Sequence, residues 1–109
     1  MKPTWGYALA EFLDAFRQAD AKEQRALAAR ASRRGSSALE KAYWAAAVES
    51  LCSEARMGPP AWVNAPNRFL PEPYFAGGME SLKAILIAES PVPFRRRNLF
   101  VSENALNRV

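Results

Sequence analysis

The distribution of proline divides this chain into two halves at Gly58. No proline occurs between Thr4 and Gly58, whereas seven of the eight prolines follow Gly58. Proline in a helix interior removes a backbone hydrogen bond and clashes with the preceding turn, so long helices are confined to the first half. Fifteen of the 21 alanines, the strongest helix formers, also precede Gly58. The sequence therefore predicts a mainly α protein.

The chain has the length of one small domain, at 109 residues and 12.1 kDa. We expect a single domain over residues 1–109, with an N-terminal helical bundle at 1–58 as the scaffold. Residues 59–109 are rich in proline, aromatic residues and arginine. We expect them to form irregular segments and short helices, and to provide the contact surface.

Three helices are predicted in the first half, over residues 7–18, 21–34 and 38–57. Asp20 and Ser37 precede the second and third helices, each with a glutamate three residues later, which is the capping-box pattern. The third helix is apolar on all sides in its middle (AYWAAAV), which is typical of a central, buried helix.

The second half is predicted to consist of short elements separated by prolines. The predicted elements are a short turn after Asn64, an extended segment at 69–75, a break at 77–78, a helix or buried strand at 79–89, a cap at Ser90 with one or two helical turns at 91–97, an extended segment at 99–101 and a final helical turn from 102.

Most common catalytic and metal-binding chemistry is excluded by composition. The chain has no histidine and a single cysteine, Cys52. An internal disulfide, the usual zinc sites and histidine-dependent nucleophilic catalysis therefore cannot form within it. It also lacks a run of about 18 apolar residues and a signal-peptide pattern. We expect a cytoplasmic, non-enzymatic protein that uses no cofactor or metal and does not contact membranes.

The basic residues point to an acidic or anionic partner. Fifteen basic residues against eleven acidic ones give a net charge of +4, and eleven of the fifteen are arginine, which binds carboxylate and phosphate bidentately. The densest cluster, at 95–98, is either a basic helix end that answers the helix dipole or an anion-recognising surface. Most of the aromatic residues nearby should complete the core, and one or two should remain at the surface. The residues that we expect to contact a partner are Trp62, Tyr74, Phe75, Phe94, Arg95, Arg96, Arg97 and Asn98.

Nucleic-acid binding is the alternative function that the residues allow. Residues 26–30 and 36–40 loosely fit a helix-turn-helix, in which Arg30, Arg33 and Arg34 would contact phosphates. A homodimer is compatible with this alternative. We expect Cys52, on the third helix, to be a buried and inert thiol.

The second half also resembles part of a known family. It contains PAW, NRFLPEPYF, SLKAILIAESPVPFRRRNLFVS and NALNRV in that order. This stretch resembles a region that follows a helix-turn-helix domain in many actinobacterial regulators. The shared pattern is Pro-x-Trp, an aromatic pair, a helix, Glu-Ser-Pro, Phe-x-Arg-Arg, an aliphatic-Phe-aliphatic triplet and a terminal Leu-x-Arg. The positions that match the pattern are Trp62, Tyr74, Phe75, Phe94, Arg95 and Arg96.

The resemblance implies an antitoxin. Genes of that kind often lie beside a predicted nucleotidyltransferase, in what look like toxin–antitoxin pairs. We therefore expect an antitoxin-like protein that neutralises such a toxin by direct binding. Its arginines would pair with the metal-binding carboxylates of the toxin. The chain lacks a clear helix-turn-helix in front of the matching region, and the resemblance assigns no catalytic role to any matching residue.

Overall fold

Helices account for most of the residues that the structure describes. The computed structural model describes residues 5–76 and 80–107. Its helices are α1 (Trp5–Gln18), α2 (Ala21–Arg30), α3 (Ala38–Glu54), α4 (Lys83–Glu89) and α5 (Val92–Arg95). The shorter elements are 3₁₀ turns at Ala31–Arg33, Ala61–Asn64, Pro66–Arg68 and Glu80–Leu82, and the strands β1 (Tyr74–Phe75) and β2 (Leu99–Phe100). The predicted mainly α fold, with long helices in the first half and short elements in the second, is confirmed.

Both predicted caps are present at the starts of α2 and α3. The Asp20 carboxylate accepts a hydrogen bond from the backbone N–H of Glu23 at 2.9 Å. The Ser37 hydroxyl accepts one from the backbone N–H of Glu40 at 3.1 Å. Each cap satisfies an N–H group that has no partner within the first helical turn, and this fixes where the helix begins.

The central helix is α3, as the apolar middle of its sequence predicts. Phe12 of α1 packs edge-on against Trp44 of α3, with ring centroids 5.3 Å apart. The same core includes Val63, Phe94 and Leu99 from the second half of the chain. The two halves therefore share one hydrophobic core. The buried residues of α3 are Ala42, Trp44, Ala45, Ala46, Ala47, Val48, Leu51 and Cys52.

α3 ends three residues before its predicted end at Met57. The backbone N–H of Arg56 donates to the Ser53 carbonyl at 3.0 Å, and that of Met57 donates to the Cys52 carbonyl at 2.9 Å. These two bonds form a Schellman motif, and they require a left-handed residue just after the helix. Arg56 takes that conformation, with φ 59°. The helix ends earlier than predicted because Arg56 adopts the left-handed conformation that terminates it.

The two short strands form a parallel pair. Tyr74 lies opposite Leu99, and Phe75 lies opposite Phe100. Parallel strands need a long crossover connection, and α4 and α5 lie within it. The apolar run LKAILIA, for which the sequence allows a helix or a strand, is a helix from its lysine onward, and α4 extends one residue beyond the run to Glu89.

Ser90 does not cap α5 as predicted. Pro91 occupies the N-cap position, and no side chain caps this helix. The buried Ser90 hydroxyl instead accepts a hydrogen bond from the Val101 N–H at 2.8 Å and donates to the Leu86 carbonyl. Ser90 therefore joins the end of α4 to the residue that follows β2, and α5 is a single turn.

The chain after β2 forms turns instead of the predicted final helical turn. The N–H of Ala105 donates to the Ser102 carbonyl, and that of Asn107 to the Asn104 carbonyl, both at 3.0 Å. The predicted break at 77–78 and the start of the predicted element at Met79 lie outside the described residues. Among the helices that are described, none combines the length and the apolar character needed to cross a membrane.

Candidate functional site

The arginine cluster lies on the turn between α5 and β2. Asn98 ends this turn in the left-handed region, with φ 64°, which asparagine tolerates better than most residues. Its N–H donates to the Arg95 carbonyl at 3.1 Å, and its side-chain amide donates to the Leu70 carbonyl at 2.9 Å. Its own carbonyl accepts from the Tyr74 N–H at 2.8 Å. Asn98 thus holds the turn against β1.

Arg97 is fully buried, so the expectation that it contacts a partner at the surface is wrong. Its Nη1 donates to the Pro93 carbonyl at 2.7 Å, and its Nη2 donates to the Val63 carbonyl at 2.7 Å. Nη2 also lies 2.8 Å from Oε1 of Glu49. Burial lowers the pKa of the Arg97 guanidinium, and the hydrogen bond and charge of Glu49 oppose this effect. Arg97 is therefore a charged group inside the core that joins three segments.

Arg96 shares the same carboxylate. Its Nη1 donates to Oε1 of Glu49 at 2.7 Å, and its Nη2 donates to Oδ1 of Asn64 at 2.7 Å. The guanidinium groups of Arg96 and Arg97 lie 5.1 and 4.9 Å from the centroid of the Phe69 ring. Glu49 is thus shared by two arginines, and the Arg96 side chain is still 36% exposed.

Arg95 differs from its two neighbours because it is exposed and forms no ion pair among the described residues. Val92, one turn earlier in α5, is 57% exposed, and Tyr74 is 41% exposed. Tyr74 and Arg95 are linked through the backbone of Asn98. We call Val92, Arg95 and Tyr74 the contact surface.

The other aromatic candidates lie in or against the core. Phe94 is fully buried and meets Tyr43 edge-on, with ring centroids 5.0 Å apart, so its predicted surface role is wrong. Phe75 is half-buried and stacks on Phe100 at 4.9 Å. Trp62 is half-buried, and its Nε1 donates to a carbonyl of α2 at 2.9 Å. Of the four aromatic candidates, only Tyr74 has a largely accessible side chain.

Sequence reasoning did not single out Arg68, which is 6% exposed. Its Nη1 donates to the Arg34 and Lys41 carbonyls at 3.0 and 3.1 Å, and its Nη2 donates to the Ser32 carbonyl at 2.7 Å. The guanidinium lies 4.6 Å from the centroid of the Trp62 ring. Arg68 therefore holds the loop before α3 against the second half. The residues around Arg68 in the sequence do not indicate that it holds this loop.

The residues of the predicted helix-turn-helix lie in α2 and at the start of α3 or just before it. The second helix of such a motif must present an exposed face to DNA, but that helix would be α3, whose middle is buried. Of the three candidate arginines, Arg30 pairs with Glu23 at 3.1 Å, and Arg34 lies 5.4 Å from the centroid of the Trp44 ring. Arg33 is exposed and forms no ion pair within the described part of the chain.

The remaining features are a buried thiol and an open cleft. Cys52 is buried, and burial raises the pKa of its thiol, with a smaller contribution from the charge of Glu49. Within residues 5–76 and 80–107, no three acidic or cysteine side chains could hold a metal ion. An open cleft between α1, α2 and α3 contains one ion pair, between Arg17 and Glu54, with Nε and Oε1 3.2 Å apart.

Comparison with known proteins gives no relative, since no protein-family model, curated protein or solved structure matches this chain.

Proposed function

We propose that the protein is an antitoxin-like binding protein that neutralises a nucleotidyltransferase-type toxin by direct, stoichiometric contact. One observation supports binding through the contact surface. Glu49 pairs with both Arg96 and Arg97, whereas Arg95 is exposed with no ion pair among the described residues. Arginine and tyrosine are enriched at binding hot spots, and Arg95 and Tyr74 are both exposed.

The exposed guanidinium of the contact surface suits a carboxylate on the partner. The active site of a nucleotidyltransferase holds carboxylates around its metal, and a carboxylate accepts two parallel hydrogen bonds from one guanidinium. Val92 and the ring of Tyr74 would exclude water around that pair, which strengthens it. Inhibition then needs no catalysis by this chain, because a guanidinium seated on the metal-binding carboxylates prevents the metal from binding.

The partner to test is the product of the gene next to the one that encodes this chain. Titration calorimetry should show saturable binding of one partner molecule per chain. The Kd should be below about 1 μM, which corresponds to a binding free energy of about −8 kcal/mol. Arg95→Glu should weaken this binding at least tenfold, because it replaces attraction to a carboxylate by repulsion.

Arg25→Glu is the matched control. Arg25 is exposed on α2 and forms no ion pair among the described residues. Arg25→Glu changes the net charge of the chain by the same amount as Arg95→Glu. Equal weakening by the two variants would indicate only long-range attraction, and the contact surface would be wrong. Absence of binding at micromolar concentration would reject the proposed partner.

A second candidate function, nucleic-acid binding, is supported by the exposed basic residues of the first half. Lys22 and Arg25 on α2, and Arg33 after it, are exposed and form no ion pair among the described residues. Binding to the promoter DNA of its own gene should weaken steeply with salt, because phosphate contacts release counterions. Flat binding curves at low salt would eliminate this candidate.

A further inference from the structure

We propose that α4 is a self-association surface, through which two copies of this chain pair about a two-fold axis with their α4 helices antiparallel. The observation behind it is an apolar helix that the described residues of the chain cover on one side only. Leu86 is the one buried residue of α4, whereas Ile85 and Ile87 are 53% and 47% exposed. Leu82, directly before the helix, is 38% exposed.

Helical geometry shows which side of α4 is uncovered. If Leu86 points inward, Ile85 and Ile87 project about 100° to either side, and Ala84 and Ala88 lie about 160° away, on the outer face. The burial pattern agrees, since these four residues are all exposed. The outer face of α4 is therefore a stripe of two alanines with an isoleucine on each flank.

The charged ends of α4 turn away from this face. Lys83 and Glu89 lie about 60° from the inward direction, and both are half-buried. The Lys83 ammonium lies 5.1 Å from the centroid of the Phe75 ring. Two copies of a chain with a net charge of +4 repel each other, so an uncharged seam suits self-association. An acidic partner or a nucleic acid would instead require cations on this face.

The sequence of α4 suits a second copy in particular. A two-fold interface must be complementary to itself, because a residue that contacts a second residue of the other copy is matched by the reverse contact across the axis. Residues 84–88 read Ala-Ile-Leu-Ile-Ala in both directions. In an antiparallel pair centred on Leu86, Ala84 faces Ala88 of the other copy. These small residues allow the helix axes to approach to about 8 Å, and isoleucines from both copies cover each flank.

Sedimentation equilibrium of the whole protein tests the proposal. A contact this short buries less than about 1,200 Å² of surface in total. We therefore expect a weak dimer that forms as the protein concentration rises from about 20 to about 500 μM. The mass should rise from 12.1 kDa toward twice that value over this range. Ile85→Glu should raise the dissociation constant at least tenfold. Tyr7→Glu, at a 71% exposed position on α1, should leave it unchanged.

Disulfide trapping tests the antiparallel register. An equimolar mixture of Ala84→Cys and Ala88→Cys chains should form the disulfide between the two variants in well over twice the amount of either homodimer, because random pairing alone gives a twofold excess, while the buried Cys52 stays unlinked. A monomer at about 500 μM would overturn the proposal, since even weak dimers form at that concentration. Equal dimerisation of Ile85→Glu and the unmutated protein, or trapping of homodimers alone, would also overturn it.

Discussion

Replacing Arg97 by alanine should destabilise the fold far more than the same change at Arg95, two residues away. Arg97 has no accessible surface, whereas Arg95 is exposed. The change leaves the carbonyls of Val63 and Pro93 without their donors and opens a void in the core. Each unsatisfied buried acceptor costs about 1–3 kcal/mol.

Two features of the site limit the loss. Glu49 keeps Arg96 as a partner, at 2.7 Å, and so does not become an isolated charge. Arg97 also carries a cost in the native protein, because its buried Nε has no hydrogen-bond partner. We therefore expect a loss of about 3–5 kcal/mol, which comes from the two carbonyls left without donors and from the void. Arg95→Ala should stay within about 0.5 kcal/mol.

Urea unfolding followed by circular dichroism measures both changes. In thermal unfolding, a loss of 3 kcal/mol or more corresponds to a Tm lowered by about 12 °C or more for a domain near this size. Arg97→Lys should recover only part of the loss, because one ammonium cannot reproduce the planar fork that reaches two carbonyls and a carboxylate. If Arg97→Ala and Arg95→Ala cost the same, below about 1 kcal/mol, the structural role of Arg97 is wrong.

Three further changes test other parts of the fold. Arg56→Gly should stabilise the protein by about 1 kcal/mol in urea unfolding, because glycine adopts the left-handed conformation after α3 without steric cost; a loss of stability would contradict this. Ser90→Ala should cost about 1–3 kcal/mol in the same assay, because the Val101 N–H loses its buried acceptor; a change below 0.5 kcal/mol would indicate that water replaces the hydroxyl. Burial raises the pKa of Cys52 above its value in the unfolded chain, so the free energy of unfolding should fall as pH rises above about 8.5. Cys52→Ala should flatten this fall between pH 8.5 and 10, and an unchanged slope would exclude the thiol as its cause.

Features set by local chemistry could be predicted from the sequence. The caps at Asp20 and Ser37 each depend on a residue three positions away, and both are present. The burial of α3 follows from the composition of its own middle turns. Even the error at its end is local, because Arg56 accepts a left-handed conformation that favours glycine.

The roles of the three clustered arginines could not be predicted in this way. Nothing in their immediate sequence distinguishes Arg95 from Arg97. The distinction comes from Glu49, 48 positions before Arg97, which reaches Arg97 and Arg96 but not Arg95. Arg68 was missed for the same reason, since its three carbonyl acceptors lie 27 to 36 positions earlier in the chain. Burial of a charged group depends on distant partners, which a local pattern does not contain.

The most direct test of the proposed function is the affinity for the neighbouring gene's product, measured by titration calorimetry for the unmutated chain, Arg95→Ala and Arg25→Ala. We predict that Arg95→Ala weakens binding at least tenfold, or about 1.4 kcal/mol, because the contact surface loses its only free guanidinium. Arg25→Ala should bind with unchanged affinity. Equal affinity of all three chains, or no binding at about 10 μM, would contradict neutralisation through this surface.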